Sequence, residues 1–444
     1  MATIPAYLKQ VLTEKLADSL TATLPDLTPR RVFGEICLSG KATAVVGMRR
    51  AGKTTFLHQL RRERMEAGIH REALPWINFE DERLGELKAS HLSFLVDEYA
   101  RRFSQSRERG IVAWFFDEIQ VVEGWERFVR RLLDTDRTEV FVTGSSAALL
   151  SREIATALRG RAWEVLMHPF SFAEVLLHSG EVPSGEIALL DSTSRAHLER
   201  SFQNWLRVGG FPEVQRVDDL TRHRLLRDYV DVAILRDVVE RHRVSNVEGL
   251  RWLVRHLLGN AAGKFSVEKF HAALKSQGIA ISKDTVHQLL AHLEDCFLIR
   301  TVWMESSSER QRMVNPRKAY PVDAGLIPVF QLSDKANTGH ALETAVLVEL
   351  ERRRKSVTYV RTEGGFEVDF LVRSTDGGLE LIQVCADASD LLTGERELRA
   401  LVDAGKMFPR ASKRLLTLTQ DSMPADVPAD VTAQPAYEWF LRDS

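Results

Sequence analysis

The chain has 444 residues, more than one hydrophobic core can organise, so two to four domains are expected. Lys plus Arg number 60 against 62 for Asp plus Glu, so global charge argues neither for nor against nucleic acid, and any basic face must be local. The three cysteines, Cys37, Cys296 and Cys385, lie far apart with no C-x-x-C pair, which excludes a zinc cluster and suits a reducing cytoplasm. There is no long uncharged apolar run and no basic-then-apolar leader, so a soluble cytoplasmic protein with no membrane contact is expected.

Residues 1–25 carry Leu8, Val11, Leu12, Leu16 and Leu20 at helical spacing and predict an N-terminal helix docked on the body. From 26 to 170, apolar strands alternate with helical stretches, the pattern of a parallel α/β sheet. Within it, residues 47–54 read Gly-Met-Arg-Arg-Ala-Gly-Lys-Thr and match G-x-x-x-x-G-K-[ST], the phosphate-binding P-loop. The apolar run Ala42–Val46 leads in as a strand, and Thr54 to Ala67 leads out as a helix stopping at Gly68. Gly47 and Gly52 let the backbone curl so that its N–H groups face phosphate oxygens, beside the positive end of the helix. The candidate triphosphate cradle is Gly47, Arg49, Arg50, Ala51, Gly52, Lys53, Thr54 and Thr55. Lys53 would reach the β- and γ-phosphates, and the Thr54 hydroxyl would supply an oxygen to Mg²⁺. Arg49 could touch phosphate or an acidic neighbour, and Arg50 is open in the same way. The site predicts ATP and Mg²⁺ as cofactors.

The next strand, Trp114-Phe115-Phe116, ends in Asp117-Glu118. An apolar strand ending in two acids is the partner a P-loop requires: Asp117 to hold Mg²⁺, Glu118 to polarise the attacking water as general base. A third strand, Val140–Thr143, ends in Gly144-Ser145-Ser146. Ser145, with Thr143 behind it, is the candidate for sensing the γ-phosphate, and Ser145 or Ser146 as a plain helix N-cap fits equally.

GMRRAGKT, WFFDEIQ, TGSSA, LRGRA (158–162), PFSFAEV (169–175) and GGFPEV (209–214) occur in this order. Together they resemble a prokaryotic family of AAA+ ATPases related to the archaeal-ATPase and signalling-ATPase branches, whose members often carry a winged helix followed by a nuclease-like domain of unknown function. The resemblance covers nearly the whole chain. It implies Mg-ATP hydrolysis, a homo-oligomer, and a sheet in which the sensor strand lies between the P-loop strand and the Asp-Glu strand. It also implies that Arg159 or Arg161 reaches the γ-phosphate of a neighbouring subunit, although two surface arginines in a Gly turn would look the same. Gly209-Gly210-Phe211-Pro212 resembles the lid segment beside adenine, with Pro212 as the contact; a plain turn between helices fits as well.

Beyond the ATPase core, residues 171–239 predict a helical lid. Residues 240–305 look like a winged helix, with Ser282 capping a recognition helix over Asp284–Asp295. Its nine Lys and Arg against six Asp and Glu, from Glu240 to Arg300, are a weak basic excess. Lys283 and His287, with Arg310, Arg312, Arg317 and Lys318 just beyond, suggest contact with the DNA backbone, or else the module packs against another domain. Residues 306–444 resemble a PD-(D/E)xK nuclease: Glu343 on a helix, Asp369 in a strand, and a last motif in which Gln383 and Cys385 stand where active members have Glu and Lys. A neutral amide cannot replace a carboxylate around a hard cation, so an inactive nuclease fold is expected. The expected architecture is therefore a P-loop AAA+ parallel α/β sheet with helical lid, winged helix and a C-terminal α/β nuclease-like domain. The expected function is an oligomeric ATPase that binds and remodels DNA; the alternative is a nucleotide-gated switch that holds a protein partner.

Overall fold

A computed structural model describes residues 4–103, 110–135, 137–144, 158, 160–331 and 337–442. The chain forms two compact units, Met1–Met167 and His168–Ser444. Among the described residues no helix is long and apolar enough to cross a membrane.

The first unit opens with α1 (Ala6–Thr21), which fully buries Leu8, Leu12 and Leu16. Then follow β1 (Ala42–Val46), α2 (Lys53–Glu66), β2 (Trp76–Asn78), α3 (Leu92–Arg102), β3 (Val112–Asp117), α4 (Trp125–Thr135), β4 (Thr138–Gly144) and β5 (Ala162–Leu166). The five strands form one parallel sheet in the order β2-β3-β4-β1-β5. β4 thus sits between the P-loop strand and the Asp-Glu strand, as the resemblance implied. β1 and β3 are buried at every residue, which explains why they read as unbroken apolar runs: a parallel sheet is covered on both faces. Phe115 and Phe141, register partners on β3 and β4, stack with ring centroids 4.7 Å apart over Phe56, Leu57 and Leu60 of α2. That packing fixes α2 against the sheet, and with it the loop at the head of α2.

The second unit begins with α5 (Phe172–Ser179), α6 (Ser192–Val208) and α7 (Asp219–Val232), which runs into a π-helical stretch, Ala233–Glu240. Next come α8 (Val247–Gly259), β6 (Lys264–Phe265), α9 (Val267–Ser276), α10 (Lys283–Asp295), β7 (Ile299–Val302), α11 (Glu309–Val314) and β8 (Arg317–Pro321). The three short strands pair antiparallel in the order β6-β8-β7. α10 starts where the sequence placed it: Ser282 accepts from the Thr285 N–H at 3.0 Å, an N-cap. After α12 (Ile327–Phe330) and α13 (Thr338–Arg352) the chain builds a five-stranded sheet, β13-β12-β11-β10-β9. Its strands are β9 (Ser356–Arg361), β10 (Glu367–Arg373), β11 (Leu379–Val384), β12 (Ser412–Thr417) and β13 (Val431–Pro435), with α14 (Leu391–Met407) and α15 (Ala436–Leu441). β9, β10 and β11 are antiparallel, while β11, β12 and β13 are parallel. The core of this unit joins Phe172 and Phe202 of the early helices to Tyr320, Phe370 and Phe440.

Candidate nucleotide site

β1 hands the chain to the P-loop at Gly47, whose φ is 143° and where an added Cβ would lie 2.2 Å from the Met167 carbonyl oxygen. Only glycine can pass there, because the loop must clear the backbone of Met167, just past β5, before turning. Arg50 takes φ 66°, and Gly52 takes φ 94° as the residue before α2. Ala51 is buried, and its carbonyl accepts from Arg30 Nη1 at 2.8 Å. Arg49 is half-buried in the loop, and Thr55 is the third residue of α2. Lys53 is 5% exposed, and its Nζ donates to the carbonyls of Gly47 at 3.0 Å and Met48 at 3.1 Å. The ammonium therefore spans the inside of the loop.

Asp117 is the centre of the site. It is 1% exposed and collects hydrogen bonds from side chains on two strands and a helix. Thr54 Oγ1 lies 3.0 and 3.1 Å from its two oxygens, Thr143 Oγ1 donates at 2.6 Å, and Asn78 Nδ2 donates at 3.3 Å. Burial pushes the Asp117 carboxyl up to about 6, and the Glu118 charge adds to this, while the Thr143 and Thr54 hydrogen bonds and Lys53 oppose it. Thr143 also accepts the Glu118 N–H at 2.9 Å, so one hydroxyl on β4 ties together both acids at the end of β3. Glu118 is left-handed, φ 53° and ψ 39°, a conformation a non-glycine residue adopts only when its surroundings impose it. Its carboxylate accepts from Gln120 Nε2.

The structure thus brings together Gly47, Ala51, Gly52, Lys53, Thr54, Asp117 and, through Thr143, the backbone of Glu118. Ser145 and Arg159 lie outside the described residues. Arg161 is described, and it pairs with Asp134 of the same chain, with both side chains about half exposed. Pro212 opens a short 3-10 turn, Pro212–Val214, in the second unit. The two glycines before it have a packing cause: a Cβ on Gly209 would meet Asp323 Oδ1 at 1.9 Å, and one on Gly210 would meet the Phe170 carbonyl oxygen at 2.2 Å. Two supporting residues, Asn78 and Arg30, carry no motif that the sequence could show, and Thr143 is marked in the sequence only as a residue behind Ser145.

The second cluster of interest is at the C-terminal sheet. Glu343 of α13 and Asp369 of β10 do converge on one side chain, and Asp369 lies within a register shift of β10 between Val368 and Leu371. Between them stands Lys318. Its Nζ lies 2.9 Å from Glu343 Oε1, 3.0 Å from Glu367 Oε1 and 2.8 Å from Asp369 Oδ1, and the residue is 4% exposed. This corrects the expectation that Lys318 reaches the DNA backbone: it is spent inside the fold. Arg317 and Arg312, expected on the same face, lie over the Trp303 ring, at 3.5 and 5.5 Å from its centroid. Tyr320 donates to Glu343 at 2.7 Å, and Gln383 donates to Glu397 at 2.7 Å, so the glutamine serves a local carboxylate. Burial pushes the Glu343 carboxyl up to about 7, with the Asp369 charge adding to it. Burial likewise raises the Cys385 thiol to about 11, which leaves it protonated and inert. Among the described residues no group of three His, Cys, Asp or Glu is arranged to hold a metal ion.

Sheet order, P-loop geometry and the Thr54–Asp117 pair define a P-loop ATPase of the AAA+ class. A family profile described as an AAA domain matches residues 39–176, and one described as a domain of unknown function, DUF8612, matches residues 199–336. The chain is 33% identical over 374 residues to the uncharacterized protein MJ1544 of Methanocaldococcus jannaschii, spanning 83% of this chain and 80% of that protein. It is 31% identical over 333 residues to an uncharacterized protein of Haemophilus influenzae, spanning 75% of this chain and 79% of that one. The chain belongs to the family these proteins form. Among solved structures, the Walker-type ATPase paby2304 of Pyrococcus abyssi aligns with a TM-score of 0.40 at 18% identity, over 72% of this chain and 95% of that chain. The ORC1 protein of Aeropyrum pernix, solved in complex with DNA, aligns with a TM-score of 0.27 at 14% identity, over 74% and 93%.

Proposed function

We propose that the protein hydrolyses Mg-ATP and couples that cycle to binding and remodelling DNA as a homo-oligomer. The observation that carries the ATPase half is the buried Asp117 carboxylate hydrogen-bonded to Thr54 beside the Lys53 ammonium. A hydroxyl and a carboxylate are hard oxygen donors, the set that fits Mg²⁺, so Thr54 and Asp117 are the residues that would hold it. Bound there, the ion would supply neutralisation of charge on the phosphates. Lys53 exchanges its two loop carbonyls for phosphate oxygens when nucleotide enters. Glu118, fixed by Thr143 and its left-handed backbone, takes the proton of the attacking water.

The DNA half rests on α8, α9 and α10 with the small antiparallel sheet, which we read as a winged helix, and on its weak basic excess. The C-terminal sheet is in this reading a nuclease-like fold without nuclease activity, because an ammonium fills the space between its acids. The test is the ATPase rate with single-stranded, duplex and branched DNA, alongside the mass of the protein in ATP. Stimulation by DNA and a mass above the monomer support the reading. No stimulation by any DNA together with a monomer mass would replace it with a nucleotide-gated switch for a protein partner. One observation favours that second reading: α10 carries Lys283 against Asp284, Glu294 and Asp295, and Lys283 is paired with Glu268 at 2.6 Å.

A further inference from the structure

α10 is acidic on balance, and two of the arginines beyond it lie over Trp303, so a backbone-gripping surface in this unit must be sought elsewhere. A groove of about 1520 Å³ opens between α7, α8 and α9. It is larger than the roughly 300–1,000 Å³ typical of small-molecule pockets, a size that suits a polymer. Its walls carry Arg227 of α7, Arg255 of α8 and Lys269 of α9, all exposed, one cation from each helix. Lys264 also lines it but pairs with Glu367, and Asp231 is the one carboxylate among the described residues of the lining. Trp252, one turn from Arg255 on α8, is 45% exposed. The His256 ring lies 5.2 Å from that of Phe270, both in the lining.

A half-exposed indole beside cations from three helices has a specific chemical match. Duplex bases are stacked on one another and offer no free face, whereas an unpaired base stacks on an indole while its phosphates meet the cations. We propose that this groove is a track for single-stranded DNA, with Trp252 as a stacking platform and Arg227, Arg255 and Lys269 as phosphate contacts. The proposal rests on the DNA reading above and replaces the face of α10 with the α7–α9 groove as its site.

The experiment uses the full chain and fluorescein-labelled dT20, a duplex of the same length and rU20, followed by anisotropy across a salt series. dT20 should bind more tightly than the duplex and rU20. Trp252→Ala should weaken dT20 binding by about 5- to 150-fold while leaving the salt dependence unchanged. Arg255→Ala with Lys269→Ala should lower the log–log salt slope by about 1.4, at about 0.7 per cation removed. All these side chains are exposed, and a parental circular-dichroism melt confirms that the variants fold. If the parent binds dT20 and these variants bind it equally well, the groove is wrong while the DNA reading survives. Preference for the duplex with dependence on Lys283, or tighter binding of rU20, also overturns it. If the parent binds none of the three at low salt, the DNA reading itself falls; a protein captured through Trp252 would then be the occupant.

Discussion

Lys318 Nζ lies 2.8 Å from Asp369 Oδ1, and the two residues come from different sheets, β8 of the three-stranded sheet and β10 of the five-stranded one. Glu343 and Glu367 complete a ring of three carboxylates around one ammonium. Removing one partner of a buried pair costs more than the pair contributes, because the remaining charges lose both water and counterion. Lys318→Met should therefore destabilise the second unit by about 3–5 kcal/mol in urea denaturation. The loss should depend on pH. The folded Glu343 carboxyl, at about 7, lies above its ordinary 4.5, so its contribution to stability is full below about 4.5 and is lost as pH rises through 7. Without the ammonium that carboxyl rises further, so the variant should lose more stability at pH 8 than at pH 5. An equal loss at both would mean that Glu343 is not titrating beside Lys318.

How far these two sites could be read from the sequence follows from how local their determinants are. The P-loop and Asp117-Glu118 are contiguous motifs on consecutive elements, and their residue types are dictated by phosphate and cation chemistry. Sheet order around them came only through the family resemblance, since periodicity says nothing about which strands are neighbours. The Lys318 cluster was invisible because its members come from β8, α13 and β10, and nothing in Arg-Lys-Ala-Tyr marks a lysine that turns inward. The same motif logic that singles out Glu343, Asp369, Gln383 and Cys385 has no means of finding the cation beside the two acids. Gly209-Gly210 show the reverse case: they look like a binding loop, and their close approach to Asp323 and Phe170 is a packing reason sufficient for both.

Lys53 and Glu118 should fail in different ways. Lys53→Ala removes a charge-assisted contact worth about 1.5–3 kcal/mol, so nucleotide affinity should fall by roughly 10- to 150-fold and turnover with it. Glu118→Gln keeps the shape and the backbone held by Thr143 but loses the base. It should bind ATP as the parent does and cleave it about 10²–10⁴-fold more slowly. Filter binding and phosphate release separate the two, and parental turnover in Glu118→Gln would remove it as the base.

Nucleotide binding should weaken on the acid side of about pH 6. The Asp117 carboxyl is raised to about 6 by burial, so below that value the free protein carries a protonated acid where a cation ligand is needed. Titrating a fluorescent ATP analogue with Mg²⁺ between pH 5 and 8 should show affinity rising to a plateau above pH 6 to 7. Asp117→Asn should flatten that dependence at a low affinity. A parental profile that is already flat would place cation binding elsewhere.

Arg161 is held by Asp134 in the same chain, and the strength of that hold decides whether it can act on another subunit. An ion pair with both partners about half exposed contributes about 0–1 kcal/mol, whereas an arginine reaching a transition-state phosphate is worth about 10³–10⁵ in rate. The pair is thus weak enough to be exchanged. Asp134→Asn should leave turnover within about twofold of the parent. Arg161→Ala should lose about three orders of magnitude or more if Arg161 is the residue acting in trans. Mixing Arg161→Ala chains with Glu118→Gln chains should then recover activity, because one mixed interface keeps both the arginine and the base. Arg159→Ala is to be carried through the same mixture, since the resemblance does not choose between the two. Recovery with one arginine variant alone identifies it. No recovery with either, at a mass in ATP of one chain, would mean that each subunit completes its own site and that the assembly proposed here does not form.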